Sequence, residues 1–205
     1  MAAAPDQGAR VTSELTRIRL DLVDDPANAW AAELGYQPVY QAAAASRIAI
    51  IGQAPGKRAQ RSGVPFDDPS GVKLRDWLGV TDEQFYDPSR FAILPMDFYY
   101  PGKAANGDLP PRPDFAEKWH PRILAELNDI RLTLLIGSYS QKRYLKGRAK
   151  PSLTETVRSY QDYLPEIMPL VHPSPMNFRW QSRNPWFVSE VLPVLRDMVA
   201  KALSP

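Results

Sequence analysis

His172 is the side chain of this sequence best placed for chemistry. It is one of only two histidines in 205 residues, it follows the apolar run 168–171, and Pro173 and Pro175 stiffen the chain after it. An imidazole in that setting either bonds to backbone at a strand end or is held rigidly to point into a site, and the sequence leaves both readings open. The loop beyond it, 173–180, displays Met176, Phe178, Arg179 and Trp180. Apolar side chains beside a cation suit insertion into a base stack with a hold on phosphate. They equally suit a helix start that packs Phe178 and Trp180 inward.

A second stretch, 46–56, reads SRIAIIGQAPG. A short Ile-rich run closed by glycine is the pattern of a buried parallel strand, and Gly52 lets the backbone turn tightly or approach a ligand closely. The loop is neither a P-loop, since no lysine-serine ending follows, nor a dinucleotide fingerprint, since GxGxxG is absent. In the polar loop after it, Phe66 lies between Pro65 and Asp67. A phenylalanine there either plugs an edge of the core or offers a stacking face.

These stretches must be carried by a frame, and the frame is readable. Apolar runs at 48–51, 91–94, 132–136 and 168–171 give four strands. Helical patterns lie between them. A weak one covers 11–23, and a short one lies within 30–45. A helix over 71–78 starts at an N-cap on Ser70 and stops at Gly79. A further turn begins at Thr81, and 114–127 carries Phe115, Trp119, Ile123 and Leu127 on one stripe. Helices follow over 139–145 and over 153–160, the latter capped by Ser152 with Glu155 three residues on, and the last element covers 185–203. Residues 57–69 read as a long polar loop. The proline-rich segment 95–113 reads as a functional loop by its length. Strands alternating with helices imply a three-layer α/β/α sandwich on a mainly parallel four-stranded sheet, folded as one domain over 1–205. In such a sheet the ligand site lies at the carboxyl ends of the strands, so the loops after 51 and 171 are expected to face each other there.

Composition narrows the function. There is no cysteine, which removes disulfides, thiolate zinc sites, cysteine nucleophiles and cysteine-ligated iron–sulfur clusters. Two histidines are too few for a histidine-rich metal site, and no cofactor is expected. The net charge of +2 does not by itself indicate nucleic acid. The 21 prolines, about twice average usage, gather in loops and stiffen them. No apolar run approaches a membrane span. The start, MAAAPDQGAR, has no signal-peptide pattern and is expected to be a disordered tail over about 1–10.

Taken in order, GQAPG at 52–56, PFDDPSG at 65–71 and HPSPM at 172–176 resemble the loops of the uracil-DNA glycosylase superfamily. LLIGSYS at 134–140 fits the strand and turn before the penultimate helix of that family. The resemblance runs from about residue 46 to the C-terminus. It implies that Phe66 stacks on a flipped uracil, that His172 contacts the uracil O2, and that Met176 wedges into the duplex. Gly52, Gln53 and Ala54 would line the base, with the Gln53 backbone N–H on O2, and Pro173, Ser174, Arg179 and Arg183 would meet DNA. The chain also departs from the family. Ala54 stands where the widespread enzyme has a water-activating aspartate, and Gln53 where the thermostable branch has a glutamate. Pro95 stands where an asparagine reads the uracil edge, and Tyr99 where a cluster cysteine would be. The likeness is to a divergent bacterial branch without the iron–sulfur cluster.

The implied activity is hydrolysis of the N-glycosidic bond of uracil in DNA, leaving an abasic site. Asp68, Asp67 and Asp97 are the carboxylates in reach of such a reaction, with Asp68 equally suited to capping the helix near Ser70. His172, Asp68 and Gln53 are the catalytic candidates, and Asp97 is a further candidate in base binding. The expected partner is DNA carrying uracil or abasic sites, the expected state a monomer in the cytoplasm on the nucleoid, without membrane contact. Two other classes fit less well: a module that holds uracil or abasic DNA with little turnover, and an unrelated nucleotide-binding α/β protein, for which GQAPGKR is a poor phosphate site.

Overall fold

The computed structural model describes residues 13–105 and 107–204, so the expected N-terminal tail lies outside the described residues. The chain begins with α1 (Glu14–Asp24), where Ser13 accepts a hydrogen bond from the Thr16 N–H, and α2 (Ala29–Glu33). It then enters β1 (Ile48–Ile51). Three helices follow: α3 (Lys57–Ser62), α4 (Pro69–Leu78) and α5 (Asp82–Tyr86). Next come β2 (Phe91–Ile93), α6 (Phe115–Leu124), β3 (Leu132–Ile136), α7 (Ser138–Leu145) and α8 (Leu153–Arg158). The chain closes with β4 (Ile167–Leu170), α9 (Phe178–Arg183) and α10 (Leu192–Leu203).

The four strands form one all-parallel sheet in the order β2-β1-β3-β4. Ile48 sits opposite both Phe91 and Leu132, and Thr133 opposite Ile167. Helices cover both faces, which explains why β1 and β2 are apolar at every position instead of alternating. On one face Ile48, Ile50, Phe91 and Leu134 pack against Leu74 and Trp77 of α4 and Leu195 and Val199 of α10. On the other, Ala92 and Leu94 meet Ile18 and Leu22 of α1 and Trp119 and Ile123 of α6. Side chains of this kind each contribute about 1.5–3 kcal/mol on full burial. The three-layer α/β/α architecture is therefore the one expected.

Three local expectations change. Residues 57–69 are not all loop, because α3 occupies their first half and ends at Gly63 in the left-handed region. The cap of α4 is Asp68, not Ser70: its carboxylate accepts from the Gly71 N–H at 2.9 Å. Pro69 then takes the first helical position, where its missing N–H costs nothing. The last element also splits. A π-helical turn spans Phe187–Val191 before α10, next to Pro193, which cannot supply the N–H of a regular turn.

At the sheet's amino edge, Arg47 donates to the Leu203 and Ser204 carbonyls at 2.8 and 3.0 Å, and Arg131 donates to Ser204 at 2.6 Å. The end of α10 is thereby tied to the starts of β1 and β3. The chain leaves β1 towards β2 on one side and returns to β3 on the other, so the carboxyl edge opens at this reversal.

Candidate active site

At that edge lies a cavity of about 260 Å³. Its walls come from the loops after β1, β2 and β4 and from the residues leading into α4. The two loops expected to face each other do so: Gly52, Gln53 and Ala54 line one side, His172, Ser174 and Met176 another.

Phe66 is held in an unusual way. Its φ is +56°, a left-handed value that costs a bulky residue about 1–3 kcal/mol unless its surroundings impose it. Two neighbours do. The carbonyl oxygen of Phe66 presses on Gly71 in the first turn of α4, and it accepts a hydrogen bond from the Tyr86 hydroxyl at 3.4 Å. Tyr86 is itself held by Arg75 at 3.2 Å, whose Nε pairs with Asp82 at 2.6 Å. The ring meets Phe85 edge-on at 6.2 Å, and its Cζ lies 3.5 Å from where a Cβ on Gly52 would sit. Phe66 thus packs on the core at one edge and presents its ring to the cavity. Gly52 has no positive φ, so its use here is close approach.

His172 is fixed by its own loop. The Ser174 N–H donates to Nδ1 at 3.1 Å, and the Asn177 side chain donates to the His172 carbonyl at 2.7 Å. Because Nδ1 accepts, the neutral ring carries its proton on Nε2. Burial pushes the His172 pKa below the ordinary value, with the Asp68 carboxylate opposing that shift. The imidazole is therefore neutral at pH 7 and offers one N–H donor. The backbone-bonded reading of this histidine holds at Nδ1, and the residue also lines the cavity.

The three carboxylates separate. Asp68 lines the cavity: Oδ1 caps α4, while Oδ2 lies 3.6 Å from where a Cβ on Gly56 would sit, against the first loop. Capping and a place in the site are thus compatible. Asp67 is drawn to Arg58 at 3.4 Å and does not line the cavity. Asp97 departs from the expectation. It is buried away from the cavity and forms a two-pronged pair with Arg112 at 2.7 and 2.9 Å, while also accepting from the Tyr99 N–H. It anchors the loop after β2 and is not available to a ligand.

Pro95 lines the cavity, and its carbonyl is taken by His120 Nε2 at 2.9 Å. His120 is fully buried, which pushes its pKa down to about 4. The wall at Pro95 therefore presents no side-chain hydrogen-bonding group. Tyr99 is buried in the core, where desolvation pushes its pKa up to about 12.

Met176 is 85% exposed at the rim, and Arg179 and Arg183 lie exposed on α9. Pro173 is buried at the base of the same loop. Phe178 and Trp180, read together in the sequence, part company. Trp180 turns inward, donating to Thr154 at 2.9 Å and packing edge-on against Trp186 and Phe187, whereas Phe178 stays 72% exposed. Ser70, read in the sequence as a helix cap, also lines the cavity, as do Asp108 and Leu109, which the sequence did not single out. The last two stand on a tight turn in which Leu109 N–H bonds Gly102 and Ala104 N–H bonds Gly107. Their only signal was the length of the loop.

The cavity thus combines a stacking face, a neutral imidazole donor, a carboxylate and an apolar rim beside two arginines. Gln53 lines it, and its backbone N–H has no acceptor among the described residues. A family model described as the Uracil DNA glycosylase superfamily matches residues 39–196, which include every cavity-lining residue named above.

Proposed function

The chain belongs to the uracil-DNA glycosylase superfamily, a family of DNA glycosylases, and on that premise we propose that it removes uracil from DNA. The observation that carries this reading is the locked, neutral His172 sharing one cavity with the edge-held Phe66. A flipped pyrimidine stacks on Phe66, with its O2 towards His172 and the Gln53 N–H. Flipping costs a few kcal/mol and is easier at a U·G mismatch.

As the C1′–N1 bond breaks, its electron pair stays on the base and the sugar becomes oxocarbenium-like. The His172 Nε2–H and Gln53 N–H donate to O2, where negative charge accumulates. A neutral donor performs this task without first losing a proton. The free oxygen of Asp68 orients a water towards C1′ and stabilises the positive sugar. The water's oxygen bonds to C1′, and its proton leaves through Asp68. Met176 fills the gap in the stack, while Arg179 and Arg183 hold phosphates.

A second reading, a module that holds uracil or abasic DNA with little turnover, is favoured by Ala54 at the position of the usual water-activating acid. One assay separates the two. The protein is incubated with a labelled duplex carrying one U·G pair, and abasic sites are then cleaved with alkali. Strand scission that disappears in His172→Ala is the expected result. A salt-sensitive gel shift on abasic DNA without scission would favour the binding module. Hypoxanthine and xanthine substrates run beside it, because the Pro95 wall has no group that singles out uracil.

A further inference from the structure

Three of the most exposed large apolar side chains in the described residues gather at one rim: Met176, Phe178 and Val72 at 85%, 72% and 62%. Val72 and Phe178 face each other across a groove of about 600 Å³ between α4 and the loop and helix after β4. Pro69, Pro173 and Pro175 form much of its floor and sides. The groove and the active-site cavity share Ser174, so they are neighbouring compartments of one surface divided by the His172 loop.

That loop closes its own hydrogen bonds. Ser174 Oγ accepts from the Met176 N–H at 3.2 Å, and the Asn177 N–H bonds the Ser174 carbonyl at 2.9 Å. Phe178 is therefore an aromatic side chain exposed on a rigid support, and it stacks on no other ring among the described residues. Arg179 and Arg183 follow on the same short helix, exposed and outside every ion pair among the described residues. An aromatic platform with free guanidinium groups beside it has the composition that binds an unstacked nucleobase and its phosphate.

We propose that this groove is a second nucleotide subsite, in which a base flanking the target leaves the stack and lies on Phe178 while the target base occupies the cavity. The occupant is a nucleotide of the same strand because the two compartments adjoin at Ser174. Stacking on Phe178 is tolerant of sequence, and Lys73, Asp76 and Gln181, which also line the groove, are the side chains in reach of a base edge. It rests on the reading of the cavity as the place of a flipped base.

The test measures affinity by fluorescence anisotropy on a short labelled single strand carrying one 2′-fluoro-2′-deoxyuridine, which resists hydrolysis. Parallel strands replace the 5′ flanking nucleotide, the 3′ one, or both by a tetrahydrofuran abasic linker. Phe178→Ala is expected to weaken binding about tenfold on natural flanks, and Phe178→Tyr to restore it to within about twofold. On the strand lacking the base that fills the groove, wild type is weakened similarly and Phe178→Ala costs nothing more. Equal binding by wild type and Phe178→Ala would overturn the proposal, as would an undiminished loss when both flanks lack bases. Hydrolysis of the unmodified uracil strand is scored separately. A protein without turnover that still shows the flank-dependent loss supports the groove and counts only against the uracil reading.

Discussion

The carbonyl oxygen of Phe66 lies 1.8 Å from where a Cβ on Gly71 would sit. No side chain at position 71 can coexist with the present path of residue 66. The helix start therefore dictates the backbone of Phe66, and Gly71→Ala must displace it. Overpacking of this kind costs about 1–3 kcal/mol. We expect a lowered Tm together with a loss of kcat/KM larger than the stability change explains, measured well below the transition. Activity at the wild-type level in Gly71→Ala would show that the pose of Phe66 is not critical.

Tyr86→Phe removes only the hydroxyl that links Arg75 to the Phe66 carbonyl. The ring packing against Phe85 at 5.2 Å is kept, so the cost in stability is about 1 kcal/mol. The expected kinetic signature is a raised KM, since a looser Phe66 weakens stacking in the ground state and the transition state alike. A change confined to kcat would contradict it.

Asp68→Asn separates the cap from the proposed catalytic role. Asparagine caps as well as aspartate does, so the unfolding free energy should stay within about 0.5 kcal/mol. Turnover should fall about 100-fold if the carboxylate orients water. The acid limb of the pH profile should also move. Asp68 raises the His172 pKa against the larger lowering by burial, so its loss lets that pKa fall further. The limb then shifts to lower pH, which the imidazole proton resonances of His172 report independently.

His120 predicts a pH dependence of stability. Its pKa falls from the ordinary value of 6.5 to about 4 in the fold, because burial disfavours the charged ring. The unfolded chain therefore binds the extra proton first. The stabilisation is fully present above pH 6.5 and is lost as pH falls towards 4, by about 3 kcal/mol at most. Urea midpoints measured across that window should slope accordingly, and a flat profile would show that His120 titrates freely in the fold.

Asp97→Ala should act on folding. It strips Arg112 of its two-pronged partner and leaves the Tyr99 N–H without its acceptor. Because Arg112 keeps partial solvent access, the cost is about 3 kcal/mol, at the low end for a buried pair. Activity per folded molecule at low temperature should be nearly unchanged.

The frame was legible because its signals are local. The apolar runs are strands within about one residue, and Thr81 and Ser152 cap the helices that they announce. The loops GQAPG and HPSPM could be paired across the sheet edge because a parallel sheet places them there. What escaped is long-range. The segment KRAQRS has no apolar stripe, and its helix is held by Gln60, whose side chain bonds the Gln37 carbonyl and the Tyr100 N–H at 2.7 Å each. Asp97 looked available because its partner lies 15 residues on, and the left-handed turn at Phe66 is imposed by Gly71 and Tyr86, which the residue itself does not reveal.

The arginine ties at the amino edge of the sheet bear on where the molecule opens. The last turn of a helix ordinarily frays, and its amides exchange with solvent at little free-energy cost. Here Arg47 and Arg131 grip the carbonyls of residues 203 and 204, so fraying of α10 must also break contacts with the starts of β1 and β3. Slow hydrogen exchange should therefore reach almost to the end of α10. The fast-exchanging amides then concentrate at the opposite edge, among the loops around the cavity, so the fold opens on the side that holds the proposed site.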